Sequence, residues 1–181
     1  MARAKGTVMV SLVKVIRKHR ERVRTLLPAS LHRYFDERIV LAAWYPLDDY
    51  LAMLRVLAKL FPDAPADFYF QIGRSSAREQ MSGIYGRLKG DSSRKAAMTL
   101  LSSMFDTGEM QLVEREAGRA VNDWVGFPTP CRELCELFTG YQLERLSLQN
   151  FEDVHVRHTR CRAEGASVCR WELSWKGRAQ D

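Results

Sequence analysis

Apolar residues recur at helical spacing through the first half of the chain, then switch to alternation near residue 110. Val8, Leu12, Val15 and Ile16 predict a first helix reaching about Arg24. Pro28 restarts the chain, and a short helix carries Leu31, Tyr34 and Phe35. Pro46 opens a third helix with Asp48 and Asp49 in its first turn. Its apolar face is Leu51, Leu54, Leu57, Ala58 and Phe61, and Pro62 and Pro65 end it. A fourth helical stretch spans about Asp67 to Lys89, with a bend expected at Gly73 or Gly83. Asp91 and Ser92 suit the cap of a helix carrying Ala96, Leu100 and Met104. Met110, Leu112 and Glu114 then alternate with Gln111 and Val113, and residues 120–125 form a second strand after an Ala117-Gly118 turn. Pro128 and Pro130 break the chain, and Thr129 caps a helix carrying Cys131, Leu134, Cys135, Phe138, Leu143 and Leu146. A strand through Val154 and Val156 leads into a second hairpin, whose return strand alternates Cys169, Trp171, Leu173 and Trp175. The order predicts an α+β fold in one domain, 1–181. Residues 1–105 are mainly helical, and residues 106–181 form a hairpin, a helix and a hairpin, with helices packed on a small antiparallel sheet.

Length and charge change this picture little. A chain of 181 residues suffices to bury a real core. No apolar run is long enough to span a bilayer. The run Val8–Val10 is broken by Ser11, Lys14, Arg17 and Lys18 before a signal peptide could form, so a cytoplasmic protein with reduced thiols is expected. Residues 1–38 hold ten basic and three acidic side chains, so the whole net charge of +6 sits at the N-terminus. That is either a solvated helix face or a patch for an anionic partner. No aromatics interleave with Lys14–Arg24, which argues against nucleic acid.

The chemistry concentrates in residues 158–171. Gly165 lies midway between Cys161 and Cys169, so a hairpin turn there places the two cysteines opposite each other, roughly 5 Å apart at Cβ. Either a metal ion or a disulfide can join two thiols at that separation. Cys135 on the preceding helix supplies a third thiol, and His158 completes a Cys3His set of the closed, structural kind. Residues three apart on a regular strand face opposite ways and lie about 10 Å apart, so His158 needs a bulge before Cys161. His155 shares the parity of Cys161 but lies about 20 Å along the strand, out of reach. Cys131, one helical turn before Cys135, is a rival for its place. A metal centre, buried unligated thiols and a disulfide all remain open on spacing alone.

Cys135 with Gly140-Tyr141, then Cys161, Gly165, Cys169, Trp171 and Trp175, resemble the 4-vinyl-reductase-type domain of the NO-signalling and TRAPP-like ligand-binding superfamily. In aromatic-sensing bacterial activators that domain binds zinc through three cysteines and an acidic residue three before the second cysteine; here that position is His158. Gly6-Thr7-Val8, Trp44-Tyr45-Pro46 and Asp106-Thr107-Gly108 extend the resemblance to a family of stand-alone bacterial proteins over nearly the full length. The resemblance implies a helical N-terminal half, a four-stranded antiparallel sheet, a homodimer, and structural zinc held by Cys135, His158, Cys161 and Cys169. It also implies an apolar pocket beside the metal for a small hydrophobic or aromatic molecule.

The expected function is therefore a zinc-stabilised ligand-binding or sensory module. Phe70, Tyr85, Phe105 and Trp124 are candidate pocket residues, or simply core. The alternative is a TRAPP-like dimeric scaffold that docks a protein partner through the basic N-terminal helix, using Arg17, Arg20 and Arg24. No phosphate-cradling glycine loop, Gly-x-Ser-x-Gly elbow or His-Glu-x-x-His pair occurs, so no enzymatic activity is expected. None of the four histidines stands out as a haem ligand.

Overall fold

A computed structural model describes residues 2–61, 63, 65–83, 104–127 and 131–177. The chain forms two compact units: Met1–Ala66 with Ser103–Thr107, and Asp67–Ser102 with Gly108–Asp181.

The first unit is helical, as its periodicity predicts. Strand β1 (Arg3–Lys5) pairs antiparallel with β2 (Trp44–Pro46). Helix α1 (Gly6–Lys18) follows β1 and buries Met9, Leu12, Val13 and Ile16. It packs on α3 (Leu47–Leu60), which buries Leu47, Leu51, Met53, Leu54 and Leu57. The single first helix expected to reach Arg24 is two, broken at His19, with α2 covering Arg20–Leu26. Residues Ala29–Phe35 wind as a 3-10 helix. A Cβ on Gly6 would lie 2.1 Å from the carbonyl oxygen of Val40, so the chain crosses there at backbone contact.

The arginines proposed for docking are already used inside this unit. Arg17 donates from Nε to the Tyr34 carbonyl at 2.9 Å and from Nη2 to that of Glu37. Arg20 pairs with Asp36 at 2.8 Å, and the Arg24 guanidinium lies 5.9 Å from the Phe35 ring centre. Part of the N-terminal charge is thus turned back onto the 3-10 segment and the residues after it, which does not favour the docking-helix alternative.

The second unit carries helix α4 (Phe68–Ser82), strands β3 (Glu109–Glu116) and β4 (Arg119–Val125), helix α5 (Arg132–Ser147), and strands β5 (His155–Arg160) and β6 (Cys169–Ser174). The sheet is four-stranded and antiparallel, in the order β3-β4-β6-β5. Gly118, at φ 76°, makes the predicted turn between β3 and β4. Gly73 does not bend α4. A Cβ there would lie 1.8 Å from the Leu137 carbonyl oxygen, and one on Gly140 would lie 2.0 Å from that of Phe70. The two glycines let α4 and α5 meet backbone to backbone. The continuation of α4 to Lys89, the Asp91 and Ser92 cap with Ala96 and Leu100, the breaks at Pro128 and Pro130 and the Thr129 cap lie outside the described residues.

Candidate functional site

Cys135 sits in the first turns of α5, Cys161 directly follows β5, and Cys169 begins β6. The turn between the two strands is held by three hydrogen bonds. The amides of Glu164 and Ala166 donate to the Cys161 carbonyl at 3.1 and 3.0 Å, and that of Gly165 donates to Arg162 at 3.2 Å. Gly165 adopts φ 92°, where an L side chain is strained. The bulge that His158 requires is present: the β5–β6 register slips by one residue between His158 and Arg160. His158 thereby turns to the side of Cys161, and its ring stacks on Trp171 at 4.6 Å.

The ligand atoms of Cys135, His158, Cys161 and Cys169 all lie within 4.8 Å of one another. The Cys135 and Cys169 sulfurs are 3.7 Å apart. A disulfide would need about 2 Å, and all four cysteines are free thiols. Two sulfurs at about 2.3 Å from one tetrahedral centre stand roughly 3.8 Å apart, so the observed spacing suits ligation. Nε2 of His158 is buried and has no hydrogen-bond partner, a donor position that a bound cation would satisfy. Cys131, also buried, lies outside this group at the N-cap of α5.

The cluster is held from α5 by a short relay. Trp171 Nε1 donates to Thr139 Oγ1 at 2.9 Å, and that hydroxyl donates to the Cys135 carbonyl at 2.8 Å. The electrostatics divide the thiols. Hydrogen bonding with Cys169, and then burial, push the Cys135 thiol up, so it keeps its proton. The same hydrogen bond pulls Cys169 down to about 4, helped by His158 and by the Arg162 amide at 3.4 Å.

The pocket candidates fall in both units. Trp124 is core in the second unit, packed with Phe127 at 4.4 Å, Phe138 at 5.4 Å and Trp171 at 6.4 Å between ring centres. Phe105 packs against Tyr50 in the first unit. Phe70 is half-buried on α4, and Tyr85 lies outside the described residues.

No family model matches the chain, and no curated protein matches it in sequence. Solved structures do. An H-NOX protein from S. oneidensis in the Fe(II)NO ligation state is 12% identical, with a TM-score of 0.61 over 96% of this chain and 99% of that one. An oxygen-binding H-NOX domain related to soluble guanylate cyclases, solved as its oxygen complex, is 14% identical, with a TM-score of 0.65 over 98% and 97%. The fold is the H-NOX fold. An H-NOX protein from K. algicida, at 8% identity and a TM-score of 0.63 over 96% and 97%, agrees.

Two expectations are corrected by this likeness. The fold is not that of a 4-vinyl-reductase or TRAPP-like domain. The structural zinc carried over from that resemblance falls with it, because the cofactor named among the H-NOX structures is haem.

Axial ligation of haem commonly uses histidine, and this chain has four. His19 is half-buried and edge-on to Phe61, and His32 Nε2 lies 3.0 Å from the Leu27 carbonyl oxygen. His155 is exposed beside Asp153, and His158 belongs to the thiol cluster. The residues do not fit a histidine-ligated haem. Among the described residues, no helix is long and apolar enough to cross a membrane.

Proposed function

We propose that the chain is a small-molecule-binding sensory module on the H-NOX fold, with Cys135, His158, Cys161 and Cys169 as its metal centre and a hydrophobic molecule as its ligand. The observation that carries the metal centre is the convergence of four donor atoms within 4.8 Å around a buried imidazole nitrogen with no partner. The sensory part is supported by likeness to H-NOX structures over 96–98% of the chain. A soft, thiolate-preferring ion suits three sulfurs and one nitrogen. Filling all four positions from the protein leaves the ion no open coordination site, so its role is to clamp α5 to the β5–β6 hairpin. A module of this kind changes shape or stability when a ligand arrives and performs no chemistry on it.

Anaerobic titration of the reduced, metal-free protein with cobalt(II) tests the centre. One equivalent is expected to produce intense sulfur-to-metal absorption and tetrahedral visible bands, both changed in Cys161→Ser. A protein that gives neither has no such centre. Native mass spectrometry of the purified protein would show an organic adduct that leaves on denaturation. Titration with haemin is expected to give no histidine-ligated spectrum.

A further inference from the structure

The second half of α5 and the turn that follows it bury polar groups that the thiol cluster does not use. Gln142, Arg145 and Gln149 are 4%, 7% and 4% exposed. Gln142 and Arg145, three apart, share one face of α5, and Gln149 follows in the turn just beyond its end. Arg145 Nη1 donates to Gln149 Oε1 at 3.1 Å. Among the described residues no carboxylate pairs with it. The neighbouring Glu144 is already committed, at 2.7 Å to Arg74 and 2.6 Å to Arg78. Arg74 and Arg78 thus share the Glu144 carboxylate, and none is left for Arg145 among the described residues. Nε2 of Gln142 is buried with no partner at all.

A buried cation without a counter-charge costs several kcal/mol, and a buried donor without an acceptor adds to that. Natural proteins keep such groups where something else completes them. A carboxylate does so here: its two oxygens suit the fork of a guanidinium, with an edge left for the Gln142 amide. The adjoining side chains are apolar, with Phe138 one helical turn before Gln142 and Leu146 beside Arg145. We infer that Gln142, Arg145 and Gln149 form the anchor for the carboxylate of a small amphipathic acid. This deepens the small-molecule reading and rests on it. It is separate from the metal centre, because Arg145 lies ten residues beyond Cys135, about 15 Å along the helix.

Calorimetric titration of the whole chain with octanoate, beside 1-octanol and inorganic phosphate, tests the anchor. Octanoate is expected to bind, 1-octanol at least tenfold more weakly, and phosphate not measurably. Arg145→Met should weaken octanoate about tenfold to a hundredfold, the range for losing a hydrogen bond to a charged group. It should leave the ligand-free protein as stable as before or more so, because an unpaired charge is removed. Gln142→Leu should weaken octanoate several-fold. Equal binding of octanoate and 1-octanol, binding of phosphate alone, or no binding overturns the inference, and these arms use the unaltered protein. If Arg145→Met does not fold, Gln142→Leu supplies the variant arm, and unchanged octanoate affinity there counts against the anchor. Cobalt binding is read separately, so failure of the anchor and failure of the metal centre are distinguishable.

Discussion

The two units solve the burial problem differently. Among the described residues, the first unit buries one polar side chain, Thr7, inside a core of Met, Leu, Val, Ile and aromatic residues. The second buries Gln80, Asp123, Gln142, Glu144, Arg145 and Gln149, together with four cysteines. Apolar burial is favourable wherever it happens, whereas each polar group inside must find a partner or cost free energy. Some in the second unit are satisfied internally. Asp123 accepts two 2.7 Å bonds from Arg170 across β4 and β6, and Tyr141 donates to Gln80 at 3.2 Å. Others, the Gln142 amide and the His158 imidazole, are not. Thr7 Oγ1 in the first unit is also without a partner, so the units differ in how many polar groups they bury rather than in whether all are satisfied.

The largest expected effect breaks the symmetry between the units least. Gly140→Ala drives a methyl group against the Phe70 carbonyl in the second unit, and Gly6→Ala does the same against Val40 in the first. Each should cost about 3 kcal/mol or more in urea denaturation, enough to unfold a marginal domain. Loss of less than about 1 kcal/mol in either would mean that the close approach is not needed.

Acid separates the units. Burial works to raise Glu144, but hydrogen bonds from Arg78 and Arg74 outweigh it and hold the carboxyl below its ordinary value. A depressed pKa contributes stability that is complete above the ordinary value, near 4.3, and drains as pH falls through the folded one. Glu144→Gln should cost about 2 kcal/mol at pH 7 and flatten the loss of stability below pH 4, measured by thermal melts across pH. An unchanged acid slope would show that other carboxylates carry it.

Alkali probes the first unit, with the smallest effect. Burial, and then a 2.6 Å hydrogen bond to Asp49, push the Tyr34 phenol up to about 12. A raised pKa contributes stability that is complete below the ordinary value near 10 and is lost as pH climbs through 12. Tyr34→Phe should cost about 1 kcal/mol at neutral pH and remove part of the decline above pH 10. Ultraviolet titration of the phenolate in the native protein checks the same group directly.

The contrast also explains what could be read from the sequence. Alternation is legible where one face of a strand meets the core, so both hairpins, their turns at Gly118 and Gly165, and the pairing of Cys161 with Cys169 followed from residue order. The bulge before Cys161 followed from parity alone. Toward the end of α5 the periodicity fails, because buried Gln142 and Arg145, with Gln149 just beyond, look like a solvent face. A buried guanidinium is visible only once neighbouring elements cover it. Gly73 and Gly140 read as a bend and a motif residue, since close contact between helices remote in sequence leaves no local mark. The zinc expectation failed for another reason: spacing identifies donors, and only the fold tells which relatives share it.

The stacking of His158 on Trp171 has an optical consequence. An indole 4.6 Å from the cluster's imidazole senses whatever charge that ring carries. A paramagnetic ion seated among the thiols would quench its fluorescence, and a closed-shell ion would shift it. Trp171 is wholly buried, so its emission starts blue and free of solvent interference. The chain has four tryptophans, so the Trp171→Phe variant separates that signal from the rest.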